Sequence, residues 1–596
     1  MFDKLGKKEK AKDAYVKANY MYLSLLNSLT SNITLSTESR IAQSFVWFNY
    51  SLNSFYSFCL ANYSKFPYLT GDIYNDEIVK KGIVMRTIKE LVALIVNSDN
   101  EELKAVFDEW VFYRERYAKL KVLPISERKE SLAEIESKVR LLEQQISSGI
   151  QEERKSKDKA TIGWKDIQQK LQTDEAALEF IHFHAQDISG EKWSDSIMYC
   201  ALLIRPDYTY PKLIPLFTER DFRTFLNRNK GKNAFDQVRR LYTRYKNKYR
   251  SYFKGDSLYN FVWKPIEKHL SGVNKIYYSP SGLLHKISFA AIPVEDDLLL
   301  IDKYSLQHMS STSMLTRDHA DIKVDEKYKA LLYGGILYDS EPDEWSESGK
   351  QFREDHSDYF IRDRSFQWTD SLRSNISWSY LQGTLNEVQK IDSLLTKYHV
   401  STTKLTRSNA LEESFKQKGQ EMPEIIHIAT HGFFFPEKKV KSKSPLNAPT
   451  FNYNETMNVD NSLMRSGLLF AGANNVWKGG FPPEGMEDGV LTAYEVSKLN
   501  LRNTKLVVLS ACETGLGEIK GSEGVYGLQR AFKLAGAEYV IMSLWQIPDQ
   551  QTVELMTLFY KNWLEGNDIR EAFYAAQKEM SIKYEPFYWA AFVLVE

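Results

Sequence analysis

The hydrophobic pattern divides this chain into a helical front and a strand-rich remainder. Periodic stretches with almost no interior Gly or Pro lie near 10–30, 38–63, 75–97 and 100–120. A heptad stripe from Leu132 to Ile146 follows them, and it predicts a helix that packs on its neighbours. We therefore expect a helical region over 1–160. A degenerate array of helical repeats is an open alternative for it, although no 34-residue repeat signature is legible.

From about Trp164 the pattern changes to short apolar runs that are typical of strands. Such runs occupy 177–183, 197–204 and 275–279, and a basic helical stretch covers roughly 233–270. A charged segment, Asp321 to Lys327, then leads into the last part of the chain. We expect 165–325 to form one α/β unit.

Strands and helices alternate regularly over 327–596. Strands are predicted at 329–338, 425–430, 505–511, 539–545 and 588–595, and helices at 385–398, 410–418, 522–535, 549–565 and 568–580. This alternation predicts a mainly parallel sheet that helices cover on both faces. Two long polar insertions, 339–380 and 436–490, interrupt the unit, and loops of this length are usually functional or mobile.

Composition excludes several classes of protein. The 596 residues contain 78 basic and 78 acidic side chains, so no net field favours a nucleic acid or an anionic membrane. The charged N-terminus lacks the apolar core of a signal peptide, and no apolar run is long enough to span a membrane. We expect a cytoplasmic protein.

The three cysteines, Cys59, Cys200 and Cys512, are far apart in the sequence. Their odd number and wide spacing argue against a disulfide framework, and the absence of CxxC argues against a zinc ribbon. We expect no metal and no cofactor.

Two apolar runs end in reactive side chains followed by glycine. One is IIHIATHG, which contains His431 and Gly432, and the other is VVLSACETG, which contains Cys512. The C-terminal ends of parallel strands are where catalytic groups collect, so we expect an imidazole–thiolate pair there. His431 would be the base and Cys512 the nucleophile, and the N–H groups of Gly432 and Cys512 would stabilise an oxyanion.

Each of these residues has a competing interpretation. Cys512 alone would more often be a small buried apolar residue. His427 and His431 have the spacing of a zinc-binding helix, but the surrounding isoleucines and the missing third ligand favour interior packing for His427, on the same strand face as His431. The turn at Gly515–Gly521 lacks the GxxxxGK[ST] signature of a nucleotide-binding loop.

Several motifs, taken in order, resemble the CHAT family of cysteine peptidases, relatives of caspases and separase. The motifs are LQGT (381–384), the His-Gly of 431–432, SGLLFAGA (466–473), DGVLTA (488–493), SACETGLG (510–517), GSEGV (521–525), SLWQIPD (543–549) and WAAF (589–592). Upstream, SPSGLLHKI (279–287) resembles the non-catalytic first half of the family. The likeness extends over roughly 165–596.

The resemblance implies a caspase-like parallel-sheet catalytic domain over 327–596, a non-catalytic α/β half over 165–325, and an endopeptidase dyad of His431 and Cys512. By resemblance to the Leu-Trp…Asp segment of separase, Asp549 would bind a basic residue before the scissile bond. Asp549 would alternatively be a helix N-cap, and Asp488 is a weaker acidic candidate that would alternatively form a turn.

Two functions are therefore open for this chain. One is a cysteine endopeptidase that cleaves protein substrates and is regulated by a protein partner at the helical region. The other is a catalytically silent caspase-like scaffold that acts through protein–protein interaction. The reactivity of Cys512 separates the two functions.

Overall fold

The computed structural model describes a large part of the chain. The described residues are 7–31, 51–81, 94–95, 98–122, 130–153, 162–186, 193–242, 257–295, 298–317, 323–324, 327–340, 377–416, 422–435, 463–478, 480, 482–483, 486–511, 518–519 and 525–596. Among these residues, no helix combines the length and the apolar character that crossing a membrane requires.

The described residues of the N-terminal part are mainly helical, as predicted. Its helices are α1 (Lys8–Ser31), α2 (Thr70–Lys80), α3 (Glu101–Val122), α4 (Leu132–Glu153) and α5 (Trp164–Lys170), and residues 51–61 are helical as well. The predicted heptad stripe lies on α4, where Val139, Leu142 and Ile146 are buried in one cluster with Leu103 and Trp110 of α3. The stripe therefore packs within the chain.

A five-stranded sheet with the order β3-β2-β1-β4-β7 follows the helices. This part of the chain contains β1 (Glu175–Gln186), β2 (Trp193–Ile204), β3 (Lys212–Thr218), α6 (Glu219–Arg228), α7 (Ala234–Tyr242), α8 (Lys264–Glu267), β4 (Lys275–Ser279), β5 (Pro293–Glu295), β6 (Leu298–Leu299), α9 (Leu300–Lys303) and β7 (Ser305–His308). Strands β1, β4 and β7 run parallel, whereas β1, β2 and β3 are antiparallel neighbours.

A six-stranded sheet with the order β18-β17-β14-β10-β8-β9 forms the centre of the last part. Its strands are β8 (Lys329–Ile336), β9 (Ser401–Arg407), β10 (Ile425–Ala429), β14 (Leu506–Ser510), β17 (Tyr539–Ser543) and β18 (Phe592–Val595). All neighbours are parallel except β17 and β18, which confirms the predicted mainly parallel sheet. Every residue of β10, β14 and β17 is buried, as expected for strands covered on both faces.

Helices cover both faces of this sheet. The remaining helices are α10 (Gln382–Lys397), α11 (Glu412–Phe415), α12 (Ala473–Trp477), α13 (Ala493–Val496), α14 (Leu528–Ala535), α15 (Asp549–Leu564) and α16 (Ile569–Lys583). The apolar residues of α10, α15 and α16 share one core cluster with the first sheet, whereas those of α14 pack in a second cluster on the other face. The apolar core is thus continuous between the two α/β parts.

Several elements differ from the prediction, and the helix predicted from residue 522 begins only at Leu528. Strand β9 was not predicted, because it is a polar edge strand whose residues are mostly exposed or half-buried. The predicted insertion 436–490 contains β12 (Ser466–Leu469), which pairs with β11 (Gly432–Phe434) and β13 (Val490–Thr492) in a small antiparallel sheet. Two further short strands, β15 (Glu518–Ile519) and β16 (Val525–Tyr526), form a hairpin.

Candidate active site

Strands β10 and β14 bring the two chain segments of interest to one edge of the sheet. Their parallel register pairs Ala429 with Ser510, the last residue of each strand. His431 follows two residues after Ala429, and Cys512, which lies outside the described residues, follows two residues after Ser510. Neighbouring strands lie about 4.8 Å apart, so the register starts both continuations at the same level and side by side.

The backbone of His431 is held by a directed chain of hydrogen bonds. Its N–H donates to the Tyr338 hydroxyl (3.2 Å), which lies 2.9 Å from the Thr430 hydroxyl. Thr430 in turn donates to the Leu469 carbonyl (2.5 Å), and the Leu469 N–H donates to the His431 carbonyl (3.1 Å). Because all of these groups except His431 are buried, the position of the His431 backbone is fixed from both sides.

The His431 imidazole lies between two aromatic rings and one carbonyl. Its ring centroid is 5.0 Å from that of Tyr338 and 5.1 Å from that of Trp378. Nε2 lies 2.8 Å from the carbonyl oxygen of Ser379. A carbonyl oxygen can only accept, so Nε2 carries the proton, and Nδ1 of the neutral ring keeps its lone pair.

Burial lowers the pKa of His431 below its usual value, and two weaker influences oppose that shift. The hydrogen bond to Ser379 and the negative charge of Asp549 both raise the pKa. The net direction is downward, so the imidazole is neutral at neutral pH. A neutral imidazole with a free Nδ1 can accept a proton from a thiol or a water molecule.

Gly432 begins β11 and lies opposite Leu468 of β12. The bond from the Leu469 N–H to the His431 carbonyl makes Gly432 and Leu468 a non-hydrogen-bonded pair, since the two kinds of pair alternate along an antiparallel ladder. The Gly432 N–H is therefore directed away from β12. An amide in that direction can donate to a group bound beside β11.

Asp549 begins α15 as predicted, but it is not the N-cap of that helix, a position that Pro548 occupies. Its Oδ2 accepts instead from the N–H of Gly383 in the first turn of α10 (3.1 Å). A Cβ at Gly383 would lie 2.2 Å from the Asp549 Cβ, so only glycine permits this approach. The exposed Asp549 carboxylate thus lies at the N-terminal ends of two helices, where their dipoles favour negative charge.

Asp488 lies in a different environment. It is buried, and its Oδ1 accepts from the Val490 N–H (2.9 Å), which is the turn role considered for it from the sequence. Its charge also contributes to raising the pKa of Glu412, for which burial is the main cause. Asp488 therefore acts electrostatically on Glu412, a member of a buried acidic cluster.

The acidic cluster is the one group of possible metal ligands among the described residues. It consists of Glu412, Glu487 and Glu495, all buried. The Lys416 ammonium lies 3.3 Å from Glu487 and 2.8 Å from Glu495, and it also forms an ion pair with Glu412. The lysine therefore takes the position among the carboxylates that a metal ion would need.

His427 is a buried residue of the core, as the sequence indicated. Its Nε2 lies 3.0 Å from Glu387 of α10, and its Nδ1 lies 3.3 Å from the Tyr560 hydroxyl of α15. The expectation that His427 and His431 share a strand face is wrong. Strand β10 ends at Ala429, and the His431 ring turns toward Tyr338 and Trp378 in the second core cluster.

The two described cysteines, Cys59 and Cys200, are free and buried. Burial raises the pKa of both thiols, so neither forms a thiolate readily. A reactive thiolate in this chain is therefore expected at Cys512.

The family profile for the CHAT domain matches residues 254–596, which is more than half of the chain. The chain belongs to the CHAT domain family. This confirms the family that the sequence motifs indicated, although the matched range begins later than residue 165.

Two curated relatives share a short segment with this chain. Tetratricopeptide repeat protein 28 of Mus musculus is 32% identical over 118 residues, and the Homo sapiens protein of the same name is 33% identical over 118 residues. In both cases the segment covers 19% of this chain and 5% of the relative. The chain thus corresponds to a small part of these proteins.

Solved structures of the Saccharomyces cerevisiae separase–securin complex show a distant likeness. A chain of the 3.0 Å structure aligns with 9% identity and a TM-score of 0.35, covering 85% of this chain and 34% of that one. The 2.6 Å structure gives the same identity and TM-score, with 98% and 40% covered. A likeness of this size identifies no function.

Sequence reasoning missed the groups that orient His431. The Ser379 carbonyl has no side-chain signature, so no motif could have revealed it. Tyr338 carried a usable signal, because it follows β8 just as His431 follows the neighbouring β10. Asn474 comes directly after the recognised motif that ends at Ala473, and it contacts Trp378.

The electrostatic influence of Asp549 on His431 can be measured directly. We expect Asp549→Asn to lower the pKa of His431 further, because a charge that stabilises the imidazolium is removed. The measurement is an NMR titration of the histidine ring protons, with His431 assigned by its loss in His431→Ala. Because Asp549 is exposed, the difference should shrink in high salt.

Glu565→Gln is the matched control, because it removes one exposed charge at the other end of α15. It should leave the His431 titration unchanged. An unchanged or raised His431 pKa in Asp549→Asn would contradict the electrostatic influence of Asp549 on His431.

Proposed function

We propose that this chain is a cysteine endopeptidase that uses His431 as base and Cys512 as nucleophile. The observation that carries the proposal is the Nε2–H bond to Ser379, because it leaves Nδ1 unprotonated on a residue that follows β10 at the edge of the sheet where β14 also ends. Membership in the CHAT domain family supports the same assignment.

The reaction follows from these groups. His431 Nδ1 takes the proton of the Cys512 thiol, and the thiolate attacks the carbonyl carbon of the scissile peptide. The imidazolium then gives its proton to the departing amine, and a thioester is left on Cys512. Water attacks the thioester with His431 again as base, and the bond from the acyl carbon to the Cys512 sulfur breaks. The sulfur takes the proton back from His431, and the new C-terminal carboxylate is released.

Two neighbours of His431 stabilise its protonated form during this cycle. The Ser379 carbonyl continues to accept from Nε2–H, and the Asp549 charge favours the imidazolium. The Gly432 N–H, directed away from β12, and the Cys512 N–H are the proposed donors to the oxyanion of the tetrahedral intermediate.

The dyad predicts a reactive thiolate at Cys512 whose pKa depends on His431. We expect iodoacetamide to label Cys512 at pH 6.5, and His431→Ala to slow the labelling by about tenfold or more, because an imidazolium partner lowers a thiol pKa from about 8.5 into the range of about 3.5–7.5. Mass spectrometry of the Cys512 peptide measures the rate. The buried Cys59 and Cys200 serve as internal controls that should stay unlabelled in the folded chain.

Equal labelling rates in the wild type and His431→Ala would contradict the dyad. Slow labelling of Cys512 in the wild type would favour the alternative function, a catalytically silent scaffold.

We further propose that Asp549 selects substrates with Arg or Lys before the scissile bond. Its carboxylate is exposed, is held by Gly383, and acts electrostatically on the base. The buried and hydrogen-bonded Asp488 is less suited to contact a substrate, so the pocket is assigned to Asp549.

Asp549→Asn removes the negative charge but keeps the hydrogen bond to α10, because an amide oxygen can still accept from the Gly383 N–H. We expect it to reduce kcat/KM for fluorogenic peptides with Arg or Lys by about tenfold or more, and to affect peptides with neutral residues much less. A wild-type preference for a neutral residue, or an equal loss on all peptides, would exclude this pocket.

The helical region is the proposed place of control by a protein partner. Lys498 Nζ lies 5.2 Å from the ring of Trp110 in α3, so the helical region contacts the segment that follows α13. Helix α13 continues directly from β13, which shares a sheet with β11 and Gly432. A partner that displaces α3 would therefore act on the sheet beside the base.

Lys498→Ala tests this connection without creating a cavity, because Lys498 is exposed. We expect the Cys512 labelling rate to change by about twofold or more, the lower end of couplings of about 0.5–2 kcal/mol. Lys397→Ala is the control, because the Lys397 ammonium also lies over an aromatic ring, but that ring belongs to Tyr398, the next residue in the chain. Equal rates in all three proteins would rule out control through this contact.

A further inference from the structure

The geometry points to Asn474 as a positioning residue for the His431 base, an inference that rests on the proposed dyad. Asn474 lies in α12 and is completely buried. Among the described contacts, it touches neither the His431 imidazole nor strand β14. Its polar groups are bonded instead to the two residues whose rings flank the imidazole.

The Asn474 side chain makes a two-bond pair with the backbone of Trp378. Its Oδ1 accepts from the Trp378 N–H (2.9 Å), and its Nδ2 donates to the Trp378 carbonyl (2.9 Å). Two bonds to one residue fix its orientation as well as its position, as strand pairing does. Ser379, the acceptor for His431 Nε2–H, is the next residue in the chain.

The Asn474 backbone holds the second ring. Its N–H donates to the Tyr338 carbonyl (3.0 Å), and the Tyr338 ring contacts His431 from the side of β8. Asn474 therefore fixes three features at once: the ring of Trp378, the ring of Tyr338 and the direction of the Ser379 carbonyl. All three determine how the imidazole is oriented.

The turn before α12 is itself built to place Asn474. Gly472 adopts a left-handed conformation (φ +79°), and its N–H donates to the Leu337 carbonyl (3.2 Å). Gly489 is also left-handed (φ +73°), and a Cβ there would lie 2.8 Å from the Ala471 carbonyl oxygen. The turn is thus packed between the end of β8 and the start of β13.

Removal of the Asn474 amide should free the Trp378–Ser379 backbone while leaving His431 and Cys512 in place. Without an oriented acceptor for Nε2–H, the His431 imidazolium is less stable. In the neutral ring, the proton can then lie on Nδ1 as well as on Nε2. The consequence is a higher pKa for the Cys512 thiol. A purely structural role would lower the melting temperature without changing that pKa.

The test is the pH profile of Cys512 alkylation in the full chain, with iodoacetamide as the probe and melting temperatures as the measure of folding. We expect the rate at pH 6.5 to fall about tenfold in Asn474→Ala, with a midpoint shifted toward that of His431→Ala. Asn475→Ala is the matched control. It removes the same kind of side chain one position later, where the side chain forms no hydrogen bond with the described residues and the backbone bonds to Gly472 and Gly480 are retained, so it should match the wild type.

Asn474→Asp keeps the shape and the bond to the Trp378 N–H, but it places an oxygen against the Trp378 carbonyl. If Asn474→Ala does not fold, Asn474→Asp tests the positioning role in its place. We expect the pH midpoint of Cys512 alkylation to rise in Asn474→Asp as well. Folded Asn474 variants with a wild-type midpoint would overturn the positioning role while leaving the dyad intact. Identical profiles for the wild type and His431→Ala would overturn the dyad and, with it, this role.

Discussion

The hydrogen bond from His431 Nε2–H to the Ser379 carbonyl is the interaction on which the site depends. It assigns the proton of the neutral ring to Nε2 and leaves Nδ1 with its lone pair. Burial lowers the pKa of the ring, so the imidazole is neutral before it takes up a proton. The carbonyl can still accept when the ring becomes charged, so in the proposed mechanism it stabilises the state in which the ring holds the thiol proton.

The sheet determines where this interaction can occur. The parallel register of β10 and β14 ends both strands at the pair Ala429 and Ser510, so the two strands end side by side at one edge of the sheet. Burial on both faces keeps these strands in register, because a slip by one residue would exchange the faces of every side chain. Helix α10 then brings its first turn to Asp549, where Gly383 makes room for the carboxylate.

The strand–helix alternation and the role of His427 could be predicted from the sequence because both depend on local patterns of burial. Strand β9 could not, because an edge strand with polar residues has no apolar run. The bond between Asp549 and Gly383 joins residues 166 positions apart, and those between Asn474 and Trp378 join residues 96 positions apart. Such contacts form when elements distant in the sequence pack together, and a local sequence pattern does not reveal which elements will do so.

The sequence also placed His431 on a strand face, whereas the strand ends before it. The hydrogen bond from the Thr430 hydroxyl to Leu469 and the backbone bond from Leu469 to His431 set the direction of the chain there. The orientation of a side chain that follows a strand thus depends on the groups that contact it after the strand ends. In this protein those groups are Tyr338, Trp378 and Ser379, and Asn474 contacts the first two.

The most direct test of the central claim is to map the new protein N-termini that the wild-type chain and Cys512→Ala generate in the same protein mixture. A cysteine endopeptidase predicts a set of N-termini that only the wild type produces, each preceded in the parent protein by Arg or Lys. Identical sets from the two chains, under conditions where both are folded, would contradict the assignment of Cys512 as a nucleophile and favour a scaffold without catalysis.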